Sequence, residues 1–510
     1  AMAEQQQRKR QKATNRKMQE DFSEYVKTFP MNIPFPAEAS SASATKPLRT
    51  NKDLIQFRLL ESGVLFDDLQ RVDEVTVTVS EFIKNMNQTG CYNAVQVNLE
   101  DQDEEGKSKL HVVLNEKNWY RLYVGGGFKQ DGIYNSSGDG LLPKVQFESS
   151  GTLLNLGGHL DKTSLSYTVD QTASASLTLS HDRPVYTLFP QDSVLYETIL
   201  AMDRGSQFNF NFRAVVDTVD HEWTRSYKEY QRLLSMRVSN TGGGMPQMVE
   251  GGYAGLDWSL CFRDVIPRRH KSLPYQCDAS PEIVSQSGPT TKNSLTWEYR
   301  TNGADTDNHF NPTTGTDMHA KVELAGPPGD VGFVKAEGGV AGHIPLVSGG
   351  GLALHATAAS GFLQPITFGG ICGPPTVSDK FFVGGPMQLR GFLPTGIGPR
   401  AKTGGASAPG GDALGGDIFY TATVAASVPF PTISFLKDTN LRLFGFANVG
   451  SLTGMTSLSN VFQTTRASVG GGVCMGSAFG RMEATYAVPL RVGPRDARKA
   501  VQFGLGFSFG

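Results

Sequence analysis

The stretch IFYTATVAASV, residues 418–428, alternates between two kinds of side chain. Its even-numbered residues are mostly large and apolar, and its odd-numbered residues are mostly small or hydroxyl-bearing. Successive side chains of a β-strand point to opposite faces, so the stretch predicts a strand with two unlike faces. The same alternation recurs in SLSYTV (164–169), QFNFNFR (207–213) and VQFGLGFSF (501–509).

Repeated segments of this kind are typical of a membrane β-barrel. Inside lipid no water can satisfy the backbone, so a sheet that crosses a membrane must close on itself. We therefore predict an antiparallel barrel of about 16 strands over residues 119–510, although a large soluble β-sandwich or propeller would also alternate. On two of these strands, the side chains expected to face lipid are Phe208, Phe210, Phe212, Val501, Phe503 and Phe507.

The chain before residue 119 has a different pattern. Residues 1–47 hold a charged, polar stretch that we expect to be a helix, followed by a Pro-, Ala- and Ser-rich segment that we expect to be a linker. Residues 48–118 predict a small α+β domain. Its apolar residues from Phe66 to Met86 recur at helical spacing, although EVTVTVSE within them also alternates as a strand would. Two strands are predicted after this helix, at Ala94–Leu99 and Lys109–Leu114.

Composition argues against several classes of protein. Lys and Arg number 47 and Asp and Glu number 49, so the chain lacks the basic excess typical of nucleic-acid binding. The five cysteines lie far apart, which favours free thiols over a disulfide framework or a zinc site. The chain contains no run of about 18 apolar residues, which is the length that would predict a membrane-spanning helix. The first residues lack the apolar core of a signal peptide, so none is expected.

The sequence shows no recognisable catalytic constellation. It contains no HExxH, P-loop or GxSxG motif, and its nine histidines lack metal-ligand spacing. The nearest approach to a nucleophile elbow, residues 472–476, lies inside a glycine-rich alternating stretch and is predicted to be a strand. We therefore expect no enzyme activity, no catalytic residue, no metal and no cofactor.

A specific motif lies at residues 378–392, SDKFFVGGPMQLRGF. An aromatic residue, a glycine pair, a short spacer and an aliphatic-Arg-Gly-aromatic quartet follow one another. This order closely resembles the loop signature of the outer-membrane POTRA-plus-barrel insertases. The residues that carry the resemblance are Phe382, Gly384, Gly385, Leu389, Arg390, Gly391 and Phe392.

Other stretches resemble the same family in the same order along the chain. They are DTDNHFNPTTG (305–315), LGGD (414–417), FANVG (446–450), FGRMEATYAVPL (479–490) and VQFGLGFSF (501–509). Residues 48–118 look like a single POTRA domain whose usual first strand is not evident. One such domain without a visible signal peptide resembles the core barrel subunits of the mitochondrial sorting and assembly machinery.

The resemblance implies an insertase that folds β-barrel precursors into the mitochondrial outer membrane, with its POTRA-like domain toward the intermembrane space. Its partners would be unfolded precursor proteins, membrane lipids and other subunits of an assembly complex. Precursors would enter through a lateral seam between a first strand at 119–129 and a last strand at 501–509. The seam residues would be Tyr123, Gly125, Gly126, Gly127, Val501, Phe503, Gly504 and Phe507. The alternatives are a passive or plugged pore or exporter of the same superfamily, and a soluble β-rich binding protein.

The resemblance also implies that the loop at about residues 378–412 folds back into the barrel lumen. Family members pair its arginine with an aspartate in a Phe-x-Asp-x-Gly strand, where this chain has Asn448. Alternation places Asn448 and Glu483 on the inward face. Glu483 or Asp417 would therefore supply the negative charge for Arg390. The alternative is an arginine that only helps to plug the pore.

Overall fold

The computed structural model divides the chain into two compact units, Ala1–Arg121 with Thr152–Thr163 and Asp182–Gln207, and Leu122–Gly151 with Ser164–His181 and Phe208–Gly510. The predicted polar helix near the start lies outside the described residues. The structure describes residues 30–34, 37–42, 47–67, 69–102, 108–129, 144–170, 174–189, 193–194, 208–240, 252–270, 272–273, 276–301, 311–347, 351–403, 405, 409–430, 441–455, 461–477 and 480–506.

The first unit contains a small α+β domain. Its elements are β1 Pro30–Asn32, β2 Glu38–Ser41, α1 Lys52–Glu61, β3 Leu69–Arg71, α2 Val72–Gln88, β4 Tyr92–Gln102 and β5 Ser108–Glu116. Strand β5 pairs in parallel with β2 and antiparallel with β4, while β1 pairs antiparallel with β3. The interpretation of residues 30–47 as a linker is therefore wrong. With three and four residues, β1 and β2 are too short to show alternation in the sequence.

Helix α2 settles the conflict between helical and strand patterns. The Glu74 carboxylate accepts a hydrogen bond from the backbone N–H of Arg71, which closes the helix N-terminus. Asp73 and Glu74 add negative charge at the positive end of the helix dipole. Four apolar side chains at helical spacing are buried in the core, namely Val75, Val79, Phe82 and Met86. The segment is a helix despite its local strand-like alternation, because a helix buries all four of these side chains on one face.

The second unit is built on a 16-stranded sheet, which confirms the predicted barrel class and strand number. Each strand neighbours the next one along the chain, with antiparallel pairing, so that β6 and β21 stand at the two ends of the order. The strands are β6 Tyr120–Lys129, β7 Lys144–Leu154, β8 Lys162–Asp170, β9 Ala175–Pro184, β10 Asn209–Asp220, β11 Tyr227–Ser239, β12 Tyr253–Pro267, β13 Gly288–Arg300, β14 Gly315–Gly326, β15 Phe333–Pro345, β16 Ala353–Pro365, β17 Ile418–Pro429, β18 Leu441–Thr453, β19 Arg466–Ser477, β20 Gly480–Arg491 and β21 Val501–Gly506.

Only short helical segments accompany these strands in the described part of the chain. They are the α-helical turns α3 Glu222–Arg225 and α4 Pro281–Val284, and the 3₁₀ turns Val185–Leu188 and Phe368–Gly370. No helix among the described residues is long and apolar enough to cross a membrane.

The predicted alternation is visible in the exposure of the last strand. Val501 and Phe503 are 47% and 39% exposed, whereas Gln502 between them is 2% exposed. Phe208, Phe210 and Phe212 are half-buried. Phe507 lies outside the described residues. The structure describes all five cysteines as free, with Cys277 exposed and the other four buried.

The connection between β16 and β17 spans residues 366–417, which is longer than the predicted 378–412. We call it the in-folding loop because its apolar side chains belong to two buried clusters that also contain residues of the barrel strands. The loop contributes Phe381, Val383, Leu389, Phe392 and Ile397 to one cluster and Val377 to the other. Five strands, β17–β21, follow the loop, as predicted.

Candidate functional site in the in-folding loop

Arg390 forms a bidentate ion pair with Glu483 of β20. Its Nε and Nη2 atoms donate to the two carboxylate oxygens, each at 2.9 Å. The side chains of Arg390 and Glu483 are 9% and 0% exposed. Two parallel charge-assisted hydrogen bonds fix the orientation of the guanidinium as well as its position.

Two aromatic rings of β18 cover the same guanidinium. The Cζ atom of Arg390 lies 5.4 Å from the ring centroid of Phe444 and 5.0 Å from that of Phe446. Cations are attracted to aromatic faces. The two rings therefore add to the ion pair in holding the guanidinium in place.

The backbone of Arg390 is held separately from its side chain. Ser468 of β19 donates its hydroxyl proton to the Arg390 carbonyl oxygen at 2.6 Å. With its amide turned so that donors face acceptors, Asn448 accepts from the Arg390 N–H at 2.6 Å and donates to Ser468. Asn448 thus contacts the loop through the backbone. A neutral side chain suffices at this position because Glu483 supplies the charge for the guanidinium.

Asp417 does not join this arrangement. Its carboxylate lies 3.6 Å from the Nζ atom of Lys380 and accepts a hydrogen bond from the backbone N–H of Met455. Of the two acidic residues considered for Arg390, the structure therefore brings Glu483 to it and pairs Asp417 elsewhere in the loop region.

The next residues of the motif are bound to the last strand, β21. Gln502 accepts a hydrogen bond from the Gly391 N–H and donates one to the Phe392 carbonyl, both at 2.7 Å. The φ angle of Gly391 is +89°, and an added Cβ atom would stand 3.3 Å from Ser468 and Ala487. Glycine therefore permits both the backbone conformation and the close approach of the loop to the barrel wall.

The glycine pair and Leu389 build the turn that precedes the arginine. The Gly385 N–H donates to the Phe392 carbonyl, and the Leu389 N–H donates to the Gly385 carbonyl. Gly384 has φ of +139°, and a Cβ atom there would stand 2.1 Å from the Leu393 carbonyl oxygen. Leu389 and Phe392 are fully buried, so the turn is fixed by packing on both sides of Arg390.

A second buried ion pair joins the loop to β12, and it was not predicted from the sequence. Both carboxylate oxygens of Asp379 accept from Arg263 of β12, at 2.6 and 3.0 Å. Lys292 of β13 lies 3.8 Å away, and the Thr376 hydroxyl donates to the same carboxylate. Asp379 belongs to the quoted motif. Arg263 and Lys292 could have been found from the sequences of β12 and β13 themselves, as charged residues within strands of the barrel.

The proposed seam residues that the structure describes lie on β6 and β21, the strands at the ends of the sheet order. Tyr123 on β6 is 52% exposed, and Gly125, Gly126 and Gly127 follow it in the same strand. Gly504 on β21 is buried, and an added Cβ atom would stand 2.9 Å from Glu483. The last strand therefore lies against the residue that binds Arg390.

The Omp85 superfamily domain matches residues 155–509, which is more than half of the chain. A SAM50-like protein of Schizosaccharomyces pombe is 30% identical over 242 residues, covering 45% of this chain and 47% of that protein. The 50 kDa sorting assembly machinery subunit of Saccharomyces cerevisiae is 34% identical over 145 residues, 27% of this chain and 28% of that subunit. The chain thus spans about half the length, or less, of these curated relatives.

Among solved structures, BamA from Haemophilus ducreyi lacking POTRA domains 1–3 has a similar fold. The TM-score is 0.69 at 17% sequence identity, and the match covers 94% of this chain and 85% of that chain. The fold and the sequence similarity indicate the same class of outer-membrane barrel protein. The chain belongs to the Omp85 superfamily, within which it is a SAM50-type member.

Proposed function

We propose that this chain folds and inserts β-barrel precursors into the mitochondrial outer membrane, as the barrel subunit of a sorting and assembly complex. The names of its SAM50 relatives and the BamA-like fold support this role. The proposal places the small α+β domain on the side of the intermembrane space. Unfolded precursors, lipids and other subunits of the complex are its partners. Insertion by this route needs no catalytic residue and no cofactor.

The observation that carries the proposal is the hydrogen-bonded link between the in-folding loop and β21. Gln502 joins the last strand to the Gly391 and Phe392 backbone, and Glu483 on the neighbouring strand binds Arg390. The loop therefore supports the strand at one end of the sheet order from the inside. The strand that this link supports is one of the two between which the proposal places precursor entry.

The proposed mechanism uses the chemistry of a sheet edge. A precursor strand that enters lipid must pair its backbone N–H and C=O groups. When β6 and β21 separate, each offers such groups, and the precursor can add by β-augmentation. The glycine run of β6 lowers its strand preference and side-chain packing, which makes separation easier. While β6 and β21 are apart, the in-folding loop keeps β21 in register.

The test is a disulfide that locks the seam. Cysteine pairs are introduced across β6 and β21, with Cys277 replaced by serine, and client insertion is measured in reconstituted membranes before and after reduction. We expect insertion to fall at least tenfold when the lock is complete, and to recover after reduction.

The matched control locks an internal ladder. Ala447 and Val469 are register partners on β18 and β19, so a disulfide between them joins strands that stay paired in the proposed mechanism. This lock should leave insertion unchanged. Full insertion with β6 and β21 locked would contradict the proposal and favour a pore or exporter.

A further inference from the structure

A cavity of about 180 Å³ lies in the barrel beside the Arg390–Glu483 pair. Its lining comes from the in-folding loop and from several strands, and includes Arg390, Arg481, His343, His355, Ser427 and Thr423. A single water needs roughly 10–15 Å³ of such space. The cavity therefore has room for a ligand of several non-hydrogen atoms.

Two guanidinium groups at this cavity share one carboxylate. Arg390 takes both oxygens of Glu483 at 2.9 Å, while the Nε and Nη2 atoms of Arg481 lie 3.5 Å from one of them. The Arg481 side chain is 25% exposed and lines the cavity. Within this triad, two positive charges face one negative charge. The uncompensated positive charge is assigned to Arg481, because its contacts with Glu483 are longer than those of Arg390.

A chain of hydrogen bonds forms another part of the lining. The Nδ1 atoms of His343 and His355 are 2.8 Å apart, and Nε2 of His355 lies 2.7 Å from the Ser427 hydroxyl. Arg442 donates from Nε to the same hydroxyl at 2.9 Å. When the Ser427 hydroxyl donates a hydrogen bond to Nε2 of His355, the His355 proton lies on Nδ1, from which it is donated to Nδ1 of His343. His343 then carries its proton on Nε2, which makes that atom a donor.

We propose that this cavity binds a small anion of the carboxylate or phosphate class. Arg481 is its main ligand, because a guanidinium presents a planar fork of donors that matches two oxygens of such an anion. The His343–His355 pair lines the same cavity from the neighbouring strands β15 and β16. A bound anion offsets the surplus charge of the triad and leaves Glu483 to Arg390. This inference does not depend on the proposed insertase function.

The test uses the full chain purified in detergent and titrated calorimetrically at pH 7. Inorganic phosphate and acetate are the two probes, with ionic strength held constant by chloride. We expect saturable binding at one site for at least one of them. Tighter phosphate binding identifies a phosphate group as the natural ligand, and tighter acetate binding identifies a carboxylate.

The variants Arg481→Gln and Arg237→Gln form a matched pair. Arg237 is an arginine of β11 whose Nε donates to Asp257 at 2.9 Å, and it does not line the cavity. We expect Arg481→Gln to weaken binding at least tenfold and Arg237→Gln to leave it unchanged. His355→Phe, expected to weaken binding severalfold, is the second test if Arg481→Gln does not fold. Absence of saturable binding of both probes to the unaltered protein, or equal affinity in the folded Arg481→Gln or His355→Phe variant, would overturn the inference.

Discussion

The side chains of Arg390 and Glu483, 93 positions apart in the chain, meet in two parallel hydrogen bonds of 2.9 Å inside the barrel. Neither group is free to exchange its partner for bulk water, because both are almost completely buried. When Arg390 is removed, the buried Glu483 carboxylate keeps only the longer contacts with Arg481, and when Glu483 is removed, both guanidinium groups lose their counter-charge. The pair therefore fixes one loop conformation more strictly than an apolar contact of equal size would.

Replacement of Arg390 by alanine should cost about 3–5 kcal/mol of barrel stability. Arg390→Lys should recover part of this loss, since lysine keeps the charge but lacks the planar fork. The measurement is a double-mutant cycle of Arg390→Ala and Glu483→Gln, followed by denaturant unfolding in detergent and by client insertion. Strictly additive effects in both measurements would show that the two side chains do not cooperate.

The link to the last strand predicts a different effect for Gln502. Gln502→Leu leaves the buried Gly391 N–H without its partner, at a cost of about 1–3 kcal/mol, while the Phe392 carbonyl keeps the hydrogen bond from the Gly385 N–H. The amides of residues 390–393 should then exchange with solvent faster in hydrogen-exchange measurements. Gln364→Leu is the control, because this glutamine is exposed on β16 and its replacement should change stability by less than about 0.5 kcal/mol. Unchanged exchange in Gln502→Leu would mean that β21 does not hold the loop.

Asp379→Asn tests the second loop anchor. The change leaves Arg263 buried without its charged partner and should destabilise the barrel by about 3–5 kcal/mol. Asp257→Asn breaks the half-exposed pair with Arg237 and should cost less, about 0–1 kcal/mol. Urea unfolding of the two variants in detergent gives the comparison. Equal losses would indicate that the Asp379 pair is hydrated in solution.

The strand number was predictable from the length of residues 119–510, and the barrel class was predictable because it follows from a period of two in the side chains. That period needs no knowledge of tertiary contacts, and it also places Asn448 and Glu483 on the inward face. The loop motif was recognisable through resemblance to a family, which identified Arg390. Its bidentate partner was limited to a few acidic residues by the same alternation.

The missed features depend on contacts that no local pattern records. Arg263 and Asp379 are 116 positions apart, so only the folded barrel shows that they meet. Strand β2 has four residues of sequence EASS and owes its place to parallel pairing with β5. Propensity alone would make that segment a linker, whereas pairing with an alternating strand makes it the edge of a sheet.

The small domain should lose stability at low pH through Glu116 of β5. Its two carboxylate oxygens accept from the Thr50 N–H and hydroxyl, at 2.9 and 2.6 Å, and from the Arg49 N–H and Nε, at 3.2 and 3.1 Å. Burial by itself raises the pKa of this carboxyl group, but the hydrogen bonds from Thr50 and Arg49 outweigh it. The net result is a pKa below the usual value of 4.5.

A folded-state pKa below the unfolded one means that the unfolded chain binds the proton first as pH falls. The stabilisation from Glu116 is therefore complete above the unfolded pKa and is lost as the pH drops through the lower, folded value. Amide exchange of β4 and β5, corrected for the intrinsic effect of pH, should show protection falling as the pH drops below about 5. Glu116→Gln should lower protection at pH 7 and remove that part of the pH dependence, because the amide cannot ionise. An identical pH profile in the variant would assign the acid sensitivity of these strands to another group.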